Sequence, residues 1–264
     1  MIKISGWVEC SLVDVINCIT FTLWLPYCNF ACPWCQNSHI VRGVNSKIMK
    51  VEDIINKVLE VRDFIDYFHV TGGEPTLQSK GLRALFRLAK MNDIMVSLDT
   101  NGSNPEVVSN LIKRGLIDHL ALDVKAPLSD PKKYAEVTGI MLDEFLKRDY
   151  INRVVRTLKL ALRKLSQVEL RIPFIPTLHD EHTILKTIEE VVELINHNRG
   201  NTSGVNLVIQ QFVPSDTVLS DRFKYVQRTP LKILHRVAKI AIEHYRLDRI
   251  YLRSIERGVE LIQG

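Results

Sequence analysis

Three cysteines stand close together near the start of the chain, in the segment LPYCNFACPWCQNS (25–38). They are Cys28, Cys32 and Cys35, and the 264 residues include two other cysteines, Cys10 and Cys18. In a reducing compartment a chain of this length does not depend on disulfide bonds, and clustered thiols there are typical of metal ligands. We therefore expect the three clustered cysteines to bind a metal group and Cys10 and Cys18 to be ordinary thiols.

Two metal groups and one metal-free arrangement are alternatives for such a cluster. A structural zinc site takes four ligands, commonly with paired C-x2-C spacing, whereas the spacing here is C-x3-C-x2-C and the nearest histidine is His39. A [4Fe–4S] cluster held by three thiolates keeps one iron free of protein ligands, which is the open position that a catalytic metal needs. Pro33 would restrict the turn, and Trp34 would shield the cluster from water. Buried thiols without a metal are the third alternative.

The segments that must position these cysteines alternate between short β-branched runs and amphipathic stretches. The predicted strands cover residues 19–25, 67–70, 93–98, 118–124, 168–174 and 205–212, with a further strand expected at 249–254. The predicted helices cover residues 51–65, 81–91, 104–115, 142–164, 180–197 and 230–245. Alternation of this kind predicts βαβ units around a parallel sheet. Six units are too few to close an eight-stranded barrel, so the expected fold class is α/β with a partial, open (β/α)6 TIM-like barrel.

The domain organisation is expected to be simple. No linker rich in Gly, Ser or Pro divides the chain, so we expect a single domain over residues 1–264. Its core would span roughly residues 15–215, with the C-terminal helix and strand in 230–264. The segments 125–141 and 213–229 lack clear periodicity, and irregular loops of this length often act as lids or partner-binding loops.

Three further loops would face the same way as the cysteines. TGGEPTLQ (71–78), DTNG (99–102) and DVKAP (123–127) each follow a predicted strand, one βα unit apart. They would therefore lie at the carboxyl ends of successive strands, where barrel enzymes build their sites. The adjacent Gly72 and Gly73 would let the backbone approach a ligand closely.

Several polar side chains in and beyond these loops are candidates for ligand binding. Glu74 can accept hydrogen bonds from an ammonium group. Arg171, on the fifth predicted strand, would contact a cofactor or form a structural ion pair, and either Gln210 or Gln211 would reach the ligand from the sixth. Hard oxygen donors follow the third and fourth strands: Asp99, Thr100 and Asp123. Each of these three alone is also typical of a turn or a helix cap.

With the C-x3-C-x-W-C spacing after its first strand and GGE after its second, the chain resembles the radical S-adenosylmethionine (SAM) superfamily. The resemblance implies that Cys28, Cys32 and Cys35 hold a [4Fe–4S] cluster and that SAM chelates its open iron. It also implies contacts to SAM from Gly72, Gly73, Glu74, Thr100, Asn101, Asp123, Lys125 and Arg171. In the similar pyruvate formate-lyase activating enzymes, the equivalents of Asp99, Thr100 and Asp123 form a monovalent-cation site beside SAM, and Lys125 would meet the SAM carboxylate.

A narrower resemblance covers about residues 5–215. SLVD (11–14), CNFACPWCQN (28–37), TGGEPTLQ, LDTNG (98–102) and LDVKAP (122–127) together resemble the anaerobic ribonucleoside-triphosphate reductase activating protein family. Its members use a 5′-deoxyadenosyl radical to take a hydrogen from a glycine of a partner, so the implied partners are a glycyl radical enzyme and an electron donor such as ferredoxin or flavodoxin. The chain lacks the Pro-Gly that commonly follows Asp14, and its last ~50 residues carry no recognised motif.

Two other functions are alternatives to activation of a partner enzyme. The first is a radical SAM enzyme acting on a small molecule, in the manner of the 7-carboxy-7-deazaguanine synthases, or on RNA or another protein. The second is a non-catalytic iron–sulfur or zinc-binding module, which would have no use for the three loops that follow the cysteines.

Composition and charge indicate which partners and which cellular compartment to expect. The chain is 46% hydrophobic and 25% charged with a net charge of +5 and no dense basic run, so a nucleic-acid partner is not expected. Its most apolar stretch, CITFTLWLPYC, is about half the length of a membrane span, and no secretory signal is evident. We expect a cytoplasmic protein without a membrane partner, in which His39, His69 and His119 are surface or packing residues.

Overall fold

The structure, a computed structural model, describes residues 1–141 and 143–264. Its strands are β1 (Ile2–Ile4), β2 (Gly6–Ser11), β3 (Thr20–Leu25), β4 (Lys47–Met49), β5 (Tyr67–Gly72), β6 (Val96–Thr100), β7 (His119–Asp123), β8 (Gln167–Phe174), β9 (Val205–Gln211), β10 (Arg249–Ser254) and β11 (Gly258–Gln263). Its α-helices are α1 (Ser38–Val41), α2 (Val51–Glu60), α3 (Ser79–Met91), α4 (Pro105–Lys113), α5 (Pro131–Thr138), α6 (Glu144–Lys164), α7 (Glu181–Arg199) and α8 (Leu231–Tyr245).

One large sheet organises the described part of the chain. Its nine strands follow the order β11-β10-β9-β8-β7-β6-β5-β3-β2. The strands from β3 to β10 pair in parallel, whereas β2 and β11 add antiparallel edges. The predicted α/β fold with an open barrel is confirmed, and the strand expected at 249–254 becomes a seventh parallel strand.

The helices cover the outside of this sheet with apolar faces. Helix α2 buries Val51, Ile54, Ile55 and Val58, which lie one turn apart on a single face. Helix α3 buries Leu82, Leu85, Phe86 and Ala89 in the same pattern and packs against α2. The resulting core is continuous with the apolar residues of the strands, which leaves the polar strand residues for the barrel interior and its carboxyl-terminal end.

Three details differ from the predicted elements. The helix predicted over 51–65 ends at Glu60 and is followed by a 3-10 turn at Arg62–Phe64. The segment 125–141, expected to be irregular, contains α5. Strands β1, β2, β4 and β11 and the short helix α1 were not predicted, because β1, β4 and α1 have only three or four residues each and β2 and β11 contain no buried residue. The first position of the helix predicted over 142–164 lies outside the described residues, and the single domain stays a prediction.

Both ends of helix α5 carry residues that are typical of helix termini. The Asp130 carboxylate accepts a hydrogen bond from the Lys133 N–H at 2.9 Å, and Pro131 occupies the first helical position. Gly139 ends the helix with a φ of +68°, a conformation that glycine adopts without strain. The helix therefore starts and stops at defined residues, and its carboxyl end lies against the cysteines, as described next.

Candidate active site

The cysteines lie in the loop that follows β3, and the end of β5 holds this cysteine loop (residues 26–37) in place. The Gly73 N–H donates to the Leu25 carbonyl at 2.9 Å, and the Glu74 N–H donates to the Tyr27 carbonyl at 2.7 Å. A Cβ on Gly73 would lie 2.0 Å from the Tyr27 oxygen, and one on Gly72, whose φ is +132°, would lie 2.2 Å from the Leu25 oxygen. The two glycines thus allow the loops to touch, while both also line the cavity beside the cysteines.

The rest of the cysteine loop is held by the two segments that were expected to act as lids or partner-binding loops. Four hydrogen bonds of 2.9–3.0 Å make this connection: Ala31 N–H to the Thr138 carbonyl, Trp34 Nε1–H to the Val137 carbonyl, Leu219 N–H to the Cys35 carbonyl and Ser220 N–H to the Pro33 carbonyl. Segments 125–141 and 213–229 therefore support the cysteine loop.

A cavity of about 420 Å³ adjoins the three cysteines, a volume within the usual range for small-molecule sites. Its wall combines thiols with polar groups from five parallel strands or the loops after them: Cys28, Cys32, Cys35, Gly72, Asp99, Asp123, Arg171 and Gln210. Gln210 lines this wall, whereas Gln211 is buried and donates to the Thr229 carbonyl at 2.8 Å. Of the two glutamines predicted as alternatives, Gln210 is therefore the one at the cavity.

Burial keeps the three thiols protonated while they hold no metal. It raises the pKa of Cys28 to about 11 and that of Cys32 to about 12, and it raises the pKa of Cys35 as well. Two N–H groups approach the Cys28 sulfur, from Phe30 at 3.4 Å and from the Asn101 side chain at 3.8 Å. Metal binding must displace the thiol protons, and N–H donors of this kind stabilise the resulting thiolate.

The spacing of the thiols also bears on the type of metal group. Among the described residues, no three His, Cys, Asp or Glu side chains are grouped so as to hold a single metal ion. A [4Fe–4S] cluster places each thiolate on a different iron, so its ligands surround a larger volume. Three thiols on one loop, one buried and two half-buried, face a cavity that also contains polar groups, and this arrangement fits such a cluster.

Glu74 links the GGE loop to the DTNG loop. Its side chain is 0% exposed. Oε1 accepts hydrogen bonds from the Thr76 N–H at 3.0 Å, the Thr76 hydroxyl and the Thr100 hydroxyl at 2.8 Å, and Oε2 accepts one from the Asn101 N–H at 2.7 Å. The carboxylate thus binds protein donors on both oxygens, and the contact from Glu74 to an ammonium group stays a prediction.

Two carboxylates and two cations meet on the cavity wall. Asp123 Oδ2 lies 2.7 Å from Lys125 Nζ, and Asp99 Oδ2 lies 3.0 Å from Arg171 Nη1. Burial alone would lower the pKa of Lys125, but the charge and hydrogen bond of Asp123, together with the nearby Cys32, outweigh it, and the pKa stays above its ordinary value. Lys125 Nζ also lies 5.2 Å from the centre of the Trp34 ring, which holds this charge beside the cysteine loop.

The three residues predicted to bind a monovalent cation, Asp99, Thr100 and Asp123, form hydrogen bonds or ion pairs within the protein. One oxygen of Asp99 and one of Asp123 accept the bonds from Arg171 and Lys125, and the Thr100 hydroxyl donates to Glu74. Burial raises the pKa of Asp99, and the neighbouring Asp123 carboxylate acts in the same direction. The two carboxylates are therefore close enough to repel each other, and the binding of a monovalent cation there stays a prediction.

Sequence reasoning missed Glu169 and Arg253. Glu169 is 0% exposed and lies 2.5 Å from Arg171 Nε and 3.1 Å from Arg253 Nη2. The paired charges lower the pKa of Glu169 to about 2, although burial opposes this. Glu169 and Arg171 stand two apart on β8 and share a face, so their pairing was open to prediction, whereas the approach of Arg253 from β10 was not.

The interior below this wall contains two neutral histidines. The Ser97 hydroxyl lies 2.8 Å from Nδ1 of both His69 and His119. Burial lowers the pKa of His69 to about 3 and that of His119 to about 4. Both are packing residues and His39 is exposed, as expected.

Among the helices in the described ranges, none combines the length and the apolar character that a membrane span requires.

Comparison with known proteins places this site in a family. The model of the radical SAM superfamily matches residues 23–191, which contain the three cysteines and the loops that follow β5, β6, β7 and β8.

Two curated relatives are named for the activation of other enzymes. A protein of Methanocaldococcus jannaschii named "Putative glycyl-radical enzyme activating enzyme" is 31% identical over 261 residues, 98% of each chain. The pyruvate formate-lyase 1-activating enzyme of Escherichia coli is 29% identical over 130 residues, 47% of this chain and 52% of its own.

Solved structures share the fold. The chain superposes on the structure titled "Structure of TYW1 with a lysine-pyruvate adduct bound" with a TM-score of 0.57 and 17% identity, over 92% of this chain and 79% of that one. Sequence family, fold and site geometry agree, and the chain belongs to the radical SAM superfamily.

Proposed function

We propose that this radical SAM enzyme activates a glycyl radical enzyme of the anaerobic ribonucleotide reductase type, by removing one hydrogen atom from a glycine Cα of that partner. The relative from Methanocaldococcus jannaschii carries this proposal, because it matches 98% of both chains and is named for the activation of glycyl radical enzymes. The motifs SLVD, TGGEPTLQ and LDVKAP favour the ribonucleotide reductase type over other glycyl radical partners. We place the reaction in the cytoplasm, with ferredoxin or flavodoxin as the electron donor.

Two cofactors would be held by the residues around the cavity. Cys28, Cys32 and Cys35 would hold a [4Fe–4S] cluster, and SAM would occupy the adjoining space. The backbone of Gly72 and Gly73 lines that space and would receive the SAM ammonium group, with Glu74 beneath it. Polar side chains on the wall would bind the rest of SAM: Thr100, Asn101, Asp123, Lys125 and Arg171. A monovalent cation would bind at Asp99, Thr100 and Asp123.

The electrostatics of the wall suit a zwitterionic ligand. Lys125 is 7% exposed and carries its charge at the cavity, so it is able to bind a carboxylate after a small movement away from Asp123. Phe30 and Trp34 line the same cavity beside the thiols, and their rings exclude water. The protein thereby orients the ligand and keeps stray hydrogen donors away.

When bound, the cluster and SAM supply a 5′-deoxyadenosyl radical, and the protein determines which substrate that radical reacts with. A glycine is a suitable target because it has no side chain to block approach, and its α-radical is stabilised between an amide nitrogen and a carbonyl. The hydrogen atom would pass from the glycine Cα to the deoxyadenosyl group, and one unpaired electron would remain on the partner. No proton transfer accompanies this step, so we assign no general base.

The proposal is tested by anaerobic reconstitution with iron and sulfide, reduction with dithionite and incubation with SAM. We expect 5′-deoxyadenosine from the wild type and none from Cys32→Ala, which removes a thiol that is 7% exposed at the cavity. Addition of an anaerobic ribonucleotide reductase should give the doublet of a glycyl radical in the electron paramagnetic resonance (EPR) spectrum.

Three outcomes would contradict parts of the proposal. One tightly bound zinc and no 5′-deoxyadenosine would contradict cluster chemistry. Cleavage of SAM without a glycyl radical on this partner, but with one on pyruvate formate-lyase, would contradict the type of partner. Equal SAM binding in potassium chloride and in choline chloride would contradict the cation site.

A further inference from the structure

The cysteine loop has two faces, and the proposed chemistry uses one of them. Cys28, Cys32 and Trp34 line the cavity described above. Ala31 and Pro33, which alternate with them, line a separate groove of about 810 Å³ on the other side of the loop. The remaining walls of this outer groove come from α5, from the residues that follow it, from Lys147 on α6 and from residues 220 and 222.

Very little protein separates the outer groove from the cysteines. Ala31 is exposed, and the next residue, Cys32, is 7% exposed and faces the cavity. The Cα atoms of consecutive residues are about 3.8 Å apart, so a surface atom of the groove lies one peptide away from a thiolate ligand. Gly139 keeps the wall this thin, because a Cβ there would lie 2.1 Å from the Ala31 oxygen.

The outer groove carries positive charge. Lys132 and Arg222 line it and are exposed, and neither forms an ion pair within the described ranges. The acidic lining residue Glu136 is neutralised by Lys133, whose Nζ lies 2.7 Å from its carboxylate. A partner with an acidic surface would thus meet two cations without a matching local anion.

We propose that the outer groove is the docking surface for an acidic one-electron carrier protein that reduces the cluster, an inference that rests on the proposed function. The carrier would be a protein with a reduced flavin or iron–sulfur group near its acidic surface. It would lose one electron, and the cluster at Cys28, Cys32 and Cys35 would gain that electron with no bond broken and no proton moved. The partner glycine would enter at the opposite face, so both proteins would be able to bind at once.

The test compares two double charge reversals. Lys132→Glu with Arg222→Glu alters the outer groove. The matched control, Lys80→Glu with Arg83→Glu, alters two exposed cations on α3 that line a different cleft. The probe is an acidic flavodoxin reduced to its hydroquinone. Stopped-flow absorbance gives the rate of cluster reduction, and calorimetry gives the Kd of the oxidised flavodoxin for the metal-free protein.

We expect the reversal in the groove to slow reduction by flavodoxin at least tenfold and to weaken binding similarly, because complementary charge accelerates encounter by about 10–10³-fold. Reduction by dithionite should stay within twofold of the wild type, and the α3 control should stay within twofold for both reductants. The effect should shrink as salt is raised.

Three results would overturn the proposal: unchanged binding and reduction after the groove reversal, a larger loss in the α3 control, or an equal loss with flavodoxin and dithionite. Failure of the proposed function would look different. Dithionite would then reduce the wild-type cluster and yield 5′-deoxyadenosine, but no glycyl radical would form on the partner.

Discussion

Replacing Glu74 by glutamine tests the link between the GGE and DTNG loops. Each of the two carboxylate oxygens accepts a backbone N–H group from a different loop, Thr76 on Oε1 and Asn101 on Oε2. Backbone N–H groups are fixed donors, and the amide nitrogen of glutamine cannot accept a hydrogen bond. In either orientation Glu74→Gln therefore leaves at least one buried N–H facing another donor.

The cost follows from the count of lost bonds. The least damaging orientation puts the amide nitrogen at the Oε2 position, where it loses the Asn101 bond, because the Oε1 position receives three donors. Loss of one hydrogen bond to a charged group costs about 1.5–3 kcal/mol. For a chain of this size 1 kcal/mol corresponds to about 2–4 °C, so the Tm should fall by about 3–12 °C.

The assay is thermal unfolding of the metal-free protein, followed by circular dichroism under reducing conditions at neutral pH. Glu106→Gln is the matched control, since it makes the same chemical change at a side chain that is 79% exposed in a surface ion pair with Arg156, where about 0–1 kcal/mol is expected. A Tm for Glu74→Gln within ~1 °C of that control would refute the reasoning. It would mean that the carboxylate is not needed as an acceptor on both oxygens.

Three further perturbations test other parts of the site. Gly73→Ala puts a Cβ 2.0 Å from a backbone oxygen of the cysteine loop, so iron bound after reconstitution should fall several-fold, whereas Gly6→Ala, with nothing within 4 Å, should bind iron like the wild type. Because burial lowers the folded pKa of His119 to about 4, below the unfolded value of about 6.5, the folded state binds fewer protons. The stability associated with neutral, buried His119 is fully present above pH ~6.5 and is lost as the pH falls towards ~4. The free energy of unfolding should therefore fall by about 2 kcal/mol between pH 7 and pH 5. His119→Gln should remove that part of the pH dependence of urea midpoints, and an unchanged profile would argue against it. Arg171→Gln leaves the fully buried Glu169 without its 2.5 Å partner and should cost about 3–5 kcal/mol of unfolding free energy by urea titration; a loss below ~1 kcal/mol would show that Arg253 alone suffices.

Much of the fold could be predicted because its parallel strands are buried apolar runs and its helices have strong amphipathic faces. Helix α5 was missed although Asp130, Pro131 and Gly139 mark its ends, because eight residues give too little periodicity to recognise. Strand β1 has three residues, and its partner β4 lies far along the chain. Pairing over such a distance leaves no local pattern.

For the site, sequence located the loops better than it located the contacts. Spacing and strand order brought the cysteines, Asp99 and Asp123 to one cavity, because parallel strands end at the same edge. The orientation of Glu74 depends on donors from residues 76, 100 and 101, and that of Arg171 depends on Glu169 and Asp99. The orientation of each side chain is determined by its tertiary neighbours, and these neighbours come from different segments of the sequence.

The hydrogen bonds around the cysteine loop have a consequence for the order of events during biosynthesis. The loop is fixed by partners from residues 73, 74, 137 and 138, and finally by 219 and 220. Contacts between segments so distant in sequence form late and slowly. The cysteines precede these partners in the chain, so we expect them to acquire their arrangement only after residues 219 and 220 have been made and have folded against the loop. Cluster insertion should therefore follow the synthesis and folding of the segment that contains residues 219 and 220.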